Sequence, residues 1–187
     1  MNKPNFGLQT NYGFISIRQI EEVGYCGGLL VVSERGRPLE FHCSAPIIPN
    51  PTQQILFGKT YLSYLFCEQI GLALLEKSKL DLSVIIGNSR ALWELANSTD
   101  SPLVILDLNP ASNASSPVEQ PAHKISINSF ELLWNQNELS SMEMEQQQRQ
   151  QVRLELALQM LGSNIDLDEP FERIDKAITA AQIPHPS

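Results

Sequence analysis

The sequence predicts an α/β fold: a mixed sheet made from a hairpin plus a βαβ unit, with packed helices and a helical C-terminal segment. Three observations predict it. GGLLVV (27–32) and LEFHC (39–43) flank the turn SERGRP, and the nearly continuous apolar runs LSVIIG (82–87) and PLVIL (102–106) flank SRALWELAN. From Glu138 onward the chain turns to strong helix formers with almost no β-branched residues.

Residues 1–11 are polar, with Asn, Gly and Pro scattered through them, and are read as a flexible lead-in to a domain over 12–134. FISI (14–17) has strand composition. In the hairpin, Gly36 is available for a positive φ and Pro38 stands at the entrance of the second strand. Antiparallel partners share a face, so a tip at Arg35 and Gly36 sets Val32 opposite Leu39, Leu30 opposite Phe41 and Gly28 opposite Cys43. Cys26, Leu30, Val32, Leu39, Phe41 and Cys43 then occupy one face. Leu29, Val31, Glu40 and His42 occupy the other.

Gly58 to Lys77 predicts a helix, because Leu62, Leu65, Phe66, Ala73 and Leu74 recur at three-and-four spacing. LSVIIG, SRALWELAN and PLVIL read as strand, short helix and strand, whose crossover favours parallel pairing. Residues 107–123 are rich in Pro, Ser, Asn and Ala without an apolar period, and predict a surface loop. KISINSFELLW (124–134) suggests a final strand or a strand-to-helix transition. A helical segment over 138–182 follows, broken at GSNIDLDEP, with Val152, Leu156 and Met160 beside Leu154, Leu158 and Leu161 as a wide apolar face and Phe171, Ile174 and Ile178 on the last helix. Such a face is costly when exposed. Val152, Leu156 and Met160 are accordingly the expected partner-binding residues.

Composition narrows the function classes. A length of 187 residues with 42% hydrophobic and 18% charged residues supports one folded core. The net charge of −8 is the wrong sign for a polyanion, so no nucleic-acid partner is expected. No apolar run is long enough to cross a bilayer, so no membrane association is expected. Three cysteines without a CxxC pair argue for a reducing cytoplasm rather than a disulfide framework.

Chemistry-bearing residues are few. His42 and Cys43 invite a dyad, with Glu40 close by, but neighbours on a strand point to opposite sides, and a base and nucleophile must reach each other. Cys26, Cys43 and Cys67 are candidate metal ligands that lack local pairing. Gly87, Asn88 and Ser89 end an apolar strand and open a helix, which is where α/β proteins bind ligands, although an ordinary N-cap explains the same residues. Asn164, Asp166, Asp168 and Asp175 imitate the spacing of a calcium loop, but Glu169 stands where Gly is required and Pro170 follows.

RPLEFHCSAP, with PNPTQQILFG behind it, resembles a stretch that recurs in a family of bacterial proteins without an assigned activity; the likeness runs over about residues 27–75. It implies no catalytic residues. With no complete catalytic set and no cofactor signal, the sequence favours a cytoplasmic, non-catalytic interaction or assembly protein whose C-terminal helices pack on its own domain or on a protein partner, including a second copy. The alternative is a small-ligand sensor or enzyme using Glu40, His42 and Cys43 together with Asn88 and Ser89.

Overall fold

A computed structural model of the chain describes residues 10–106, 122–127, 130–135 and 144–182. Its centre is a mixed sheet in the order β3-β2-β1-β4-β5-β7-β6, built from β1 (Asn11–Ile20), β2 (Gly24–Ser33), β3 (Pro38–Cys43), β4 (Val84–Gly87), β5 (Leu103–Leu106), β6 (Ala122–Ile127) and β7 (Phe130–Asn135). β1, β4 and β5 are mutually parallel, and antiparallel pairs complete both sides. The predicted α/β class and mixed sheet are therefore present.

Both faces of this sheet are covered, which explains why β1 and β2 read as apolar on both sides. One face, carrying Tyr12, Phe14, Leu30, Val32, Val84, Ile86 and Val104, packs against α4 (Met144–Asn164) and α5 (Glu169–Gln182). The other, carrying Ile15, Ile17, Leu29, Val31, Ile85 and Ile105, packs against the helices that connect β3 to β4 and β4 to β5. The adjacent glycines Gly27 and Gly28 allow these close approaches. A methyl group on Gly27 would collide with Ile70, and one on Gly28 would lie 2.6 Å from Ile174 Cγ2.

The hairpin register follows the expected pairing at Leu30↔Phe41, Leu29↔His42 and Gly28↔Cys43. A bulge between Val31 and Val32 then sets Val32 against Pro38 instead of Leu39. Bulges of this kind suit edge strands, where one residue is left out of the ladder. Leu39, left out of the ladder, is 38% exposed, and Phe41, in the expected register but on the edge strand, is 39% exposed. Gly36 has φ 72° and donates its N–H to Ser33 O at 2.8 Å, as the turn requires.

Three further differences have local causes. The helix expected over 58–77 is a succession of α1 (Pro51–Phe57), a 3-10 turn (Gly58–Thr60), α2 (Tyr61–Ser63), a π-helix (Tyr64–Gly71) and α3 (Leu72–Leu75). The wider π turns shift the buried stripe, so Ile70 enters the core while Leu62 stays 45% exposed. The short helix after β4 is 3-10 in winding, over Arg90–Ser98, and Ser89 caps it by accepting from Ala91 N–H at 3.3 Å. Residues 124–134 supply two antiparallel strands, with Ile125, Ile127, Leu132 and Trp134 all directed to the face under α4 and α5. Most of the loop expected at 107–123 lies outside the described residues, as does the lead-in through residue 9.

The C-terminal helices fold back on the chain's own sheet. Leu154, Leu158, Leu161, Leu167, Phe171, Ile174 and Ile178 are all buried there. Polar anchors fix their position: Tyr12 Oη donates to Ala157 O at 3.0 Å, Asn164 Nδ2 to Glu34 O at 3.0 Å, and Arg173 Nη1 to Gly36 O at 3.1 Å. Burial, with Glu34 adding to it, pushes the Tyr12 hydroxyl up to about 12. Val152, Leu156 and Met160 point the other way and are 50–54% exposed. Among the described residues no helix is long and apolar enough to cross a membrane.

Candidate functional site

The residues singled out in the sequence fall into separate places. Glu40 and His42 share the face of β3 that is turned toward α3, and they form a real cluster. His42 Nε2 lies 3.0 Å from Glu40 Oε2, which assigns the proton to that nitrogen, since a carboxylate only accepts. Ser78 Oγ donates to the same oxygen at 3.1 Å, and Lys79 N–H reaches both oxygens at 3.3 and 3.2 Å. The His42 hydrogen bond holds the Glu40 carboxyl below the ordinary range; partial burial works against it, and the Lys79 and Ser78 donors reinforce it. Ser78 was not visible as a partner in the sequence.

With every donor converging on it, Glu40 ties the edge strand to the turn before β4. Its folded pKa is depressed, so the stability it supplies is present above the unfolded carboxylate range and is lost as pH falls through the folded value. Glu40→Gln is expected to lower the urea midpoint at neutral pH. The gap between variant and wild type should close in acid, and a gap that stays constant with pH would contradict this role.

Cys43 points to the opposite side of β3 from His42, so the His-Cys pairing is not formed. Burial pushes the Cys43 thiol up, with Lys77 opposing. Cys26 is raised by burial and then by Cys43. Cys67 lies in the π-helix on the other face of the sheet, its thiol donating to Ala91 O at 3.2 Å, and burial above all raises it to about 11. Raised thiols are poor nucleophiles at neutral pH. The three candidate metal ligands are thus divided by the sheet, and among the described residues no group of three or more His, Cys, Asp or Glu side chains could hold a metal ion. The calcium-like series is also dispersed: Asn164 donates to Glu34 O, and Asp175 faces Arg18 at 3.7 Å.

The alternative that combined Glu40, His42 and Cys43 with Asn88 and Ser89 meets the same obstacle. His42, Leu29, Ile15 and Gly87 lie in one row across four strands. Three strand spacings separate its ends by about 14 Å. These are two places, not one.

The second place is where β4 ends at Gly87 beside Ile15, so that Asn88 follows next to Ser16 in the middle of β1. Beyond it the chain leaves β1 toward β2 and leaves β4 toward β5, in opposite directions along the sheet. Strand ends at such a divergence are where α/β sheets commonly hold ligands. Ser16, 2% exposed, is one of two buried polar residues among those described, and it accepts a hydrogen bond from Asn88 Nδ2 at 3.1 Å. Ser16 still has its hydroxyl proton to donate, and Asn88 has its carbonyl oxygen to accept. Arg18 and Asp175 stand at the same end, on the face covered by α5. Gly87 serves packing instead: a methyl there would lie 3.0 Å from Leu92 Cδ1 and 3.1 Å from Ile105 Cδ1. The sequence disclosed Asn88 through its strand-end position. It offered only a faint sign of Ser16, a polar residue on the same strand face as Tyr12 and Phe14.

No protein-family model matches the chain, and no curated protein does. Solved structures similar to it include endonuclease V of Ciona intestinalis in complex with a 23mer DNA containing an inosine, at 13% identity and a TM-score of 0.34, covering 53% of this chain and 46% of that one. The chain thus spans less than half the length of that protein. Human endonuclease V is 13% identical with a TM-score of 0.44, covering 96% of this chain and 87% of its own. The catalytic domain of the human enzyme is 14% identical with a TM-score of 0.47, over 96% and 85%. These neighbours are enzymes, one of them held on DNA. The expectation of a non-catalytic interaction or assembly protein with a protein partner and no nucleic acid finds no counterpart among these neighbours and is given up.

Proposed function

We propose that the chain binds a small polar ligand where β1 and β4 diverge, with Ser16 and Asn88 as direct contacts and Ser89 holding the adjoining helix start. The observation that carries this reading is the part-buried hydrogen bond from Asn88 to the buried Ser16 at that divergence. A buried hydroxyl and a half-buried carboxamide facing each other are worth little to stability beyond their mutual satisfaction. Set beside the end of β4, they supply one donor and one acceptor of fixed direction. The cysteines, none of which is in a disulfide, fit a reducing compartment such as the cytoplasm.

The test is a melting-temperature panel of sugars, amines, carboxylates and nucleotides, with a short DNA duplex among them. A compound that binds the folded state stabilises it by about 3 kcal/mol at a hundredfold excess over its Kd, and so raises Tm. The expected result is a small-molecule hit whose shift disappears in Ser16→Val and in Asn88→Ala, both still folded. A hit that keeps its full shift in both variants would place the site elsewhere. Binding or cleavage of the duplex alone would replace the small-ligand reading.

A further inference from the structure

Asp175 lies on α5, the helix that covers the sheet face carrying Ser16. Phe171 of α5 meets Phe14 edge-on with ring centroids 5.3 Å apart, and Ile174 lies over Gly28, the β2 residue directly opposite Ser16. The next residue, Asp175, reaches across to β1, where its Oδ2 is 3.7 Å from Arg18 Nη1. That turn of α5 therefore passes over the row of the sheet that holds Ser16. The two carboxylate oxygens have different fates. The side chain as a whole is 45% exposed and Oδ2 faces Arg18, while the Oδ1 atom is covered and has no hydrogen-bond partner among the described residues.

A buried carboxylate oxygen left without a donor is costly, and folded proteins keep few of them. Resting on the proposed ligand site, we infer that Asp175 is its specificity-determining residue: Oδ1 accepts an N–H or O–H group of the ligand, whose other polar atoms meet Ser16 and Asn88. A ligand that only accepts hydrogen bonds would meet repulsion there. The class is thus a hydroxyl- or amine-bearing molecule, rather than a bare oxyanion. The Arg18 contact, long and exposed, adds little by itself.

The full chain can be titrated with three probes, glycerol, methylammonium and sulfate, while the backbone amide resonances of Ser16 and Asn88 are followed. Glycerol or methylammonium is expected to move both resonances in the wild type, with binding about tenfold weaker in Asp175→Ala. Arg18→Gln should leave that binding unchanged, and Asp175→Ala should melt no lower than the wild type. Four results would overturn the inference. Equal binding by Asp175→Ala removes Asp175 from the site, and an equal loss in Arg18→Gln reduces it to a partner of that arginine. Movement by sulfate alone leaves the site standing with the wrong ligand class. If no probe moves either resonance, the site and the role of Asp175 fall together.

Discussion

Gly28→Val is expected to be among the most damaging single substitutions in this chain. A Cβ at that position would stand 2.6 Å from Ile174 Cγ2, 3.2 Å from Ile178 Cδ1 and 3.4 Å from Ile178 Cγ1, before the valine methyls are added. Ile174 and Ile178 are fully buried, so neither can swing into solvent. The helix must move off the sheet, at a cost of about 3 kcal/mol or more. Urea denaturation gives the number directly. Gly27→Val should do comparable harm from the opposite side, where Ile70 and Leu74 press on the sheet. A Gly28→Val protein within about 0.5 kcal/mol of the wild type would mean that α5 does not lie where Ile174 places it.

Removal of everything after residue 137 has the second large expected effect. The cut deletes seven side chains that are at most 3% exposed: Leu154, Leu158, Leu161, Leu167, Phe171, Ile174 and Ile178. Each buried apolar side chain contributes about 1.5–3 kcal/mol, so the loss of all seven, roughly 10–20 kcal/mol, is as large as the roughly 5–15 kcal/mol that holds an ordinary domain together. It also uncovers Phe14, Leu30, Val32 and Ile86 as one contiguous apolar surface. The shortened chain should aggregate or lack a cooperative melting transition. A monodisperse, cooperatively melting fragment would show that the helices are an appendage rather than half of the core.

The same dependence explains what the sequence could and could not disclose. LSVIIG and PLVIL announce themselves because strands buried on both faces need no alternation, and Gly36 announces the hairpin because its turn needs a positive φ. The start of β1 was hidden: Asn11, Tyr12 and Gly13 look polar, yet Tyr12 is buried because its hydroxyl finds Ala157 O on a distant helix. The bulge at Leu39 was hidden because Pro38 fixes pairing that side-chain alternation alone cannot foresee. The stripe on α4 was half legible. Leu154, Leu158 and Leu161 meet the sheet, whereas Val152, Leu156 and Met160, equally apolar, do not.

The site was less legible than the fold. Asn88 could be picked out from a strand end followed by a helix start. Ser16 and Asp175 come from opposite ends of the chain, and nothing in their local sequence links them. Asp175 seemed instead to close a calcium-like series, an impression that Glu169 and Pro170 already weakened. The His42 and Cys43 neighbourhood drew notice for the reverse reason, since adjacency in sequence places them on opposite sides of a strand. What remains there is the Glu40-centred tether of the edge strand.

The most direct measurement of the central claim is amide chemical-shift mapping with the strongest compound from the melting panel. The largest changes are expected to cluster at Ser16, Asn88 and Asp175, with Glu40 and His42, about 10 Å from β1 and about 14 Å from β4 across the sheet, nearly unmoved. Changes centred on Glu40 and His42, with Ser16 and Asn88 silent, would contradict it.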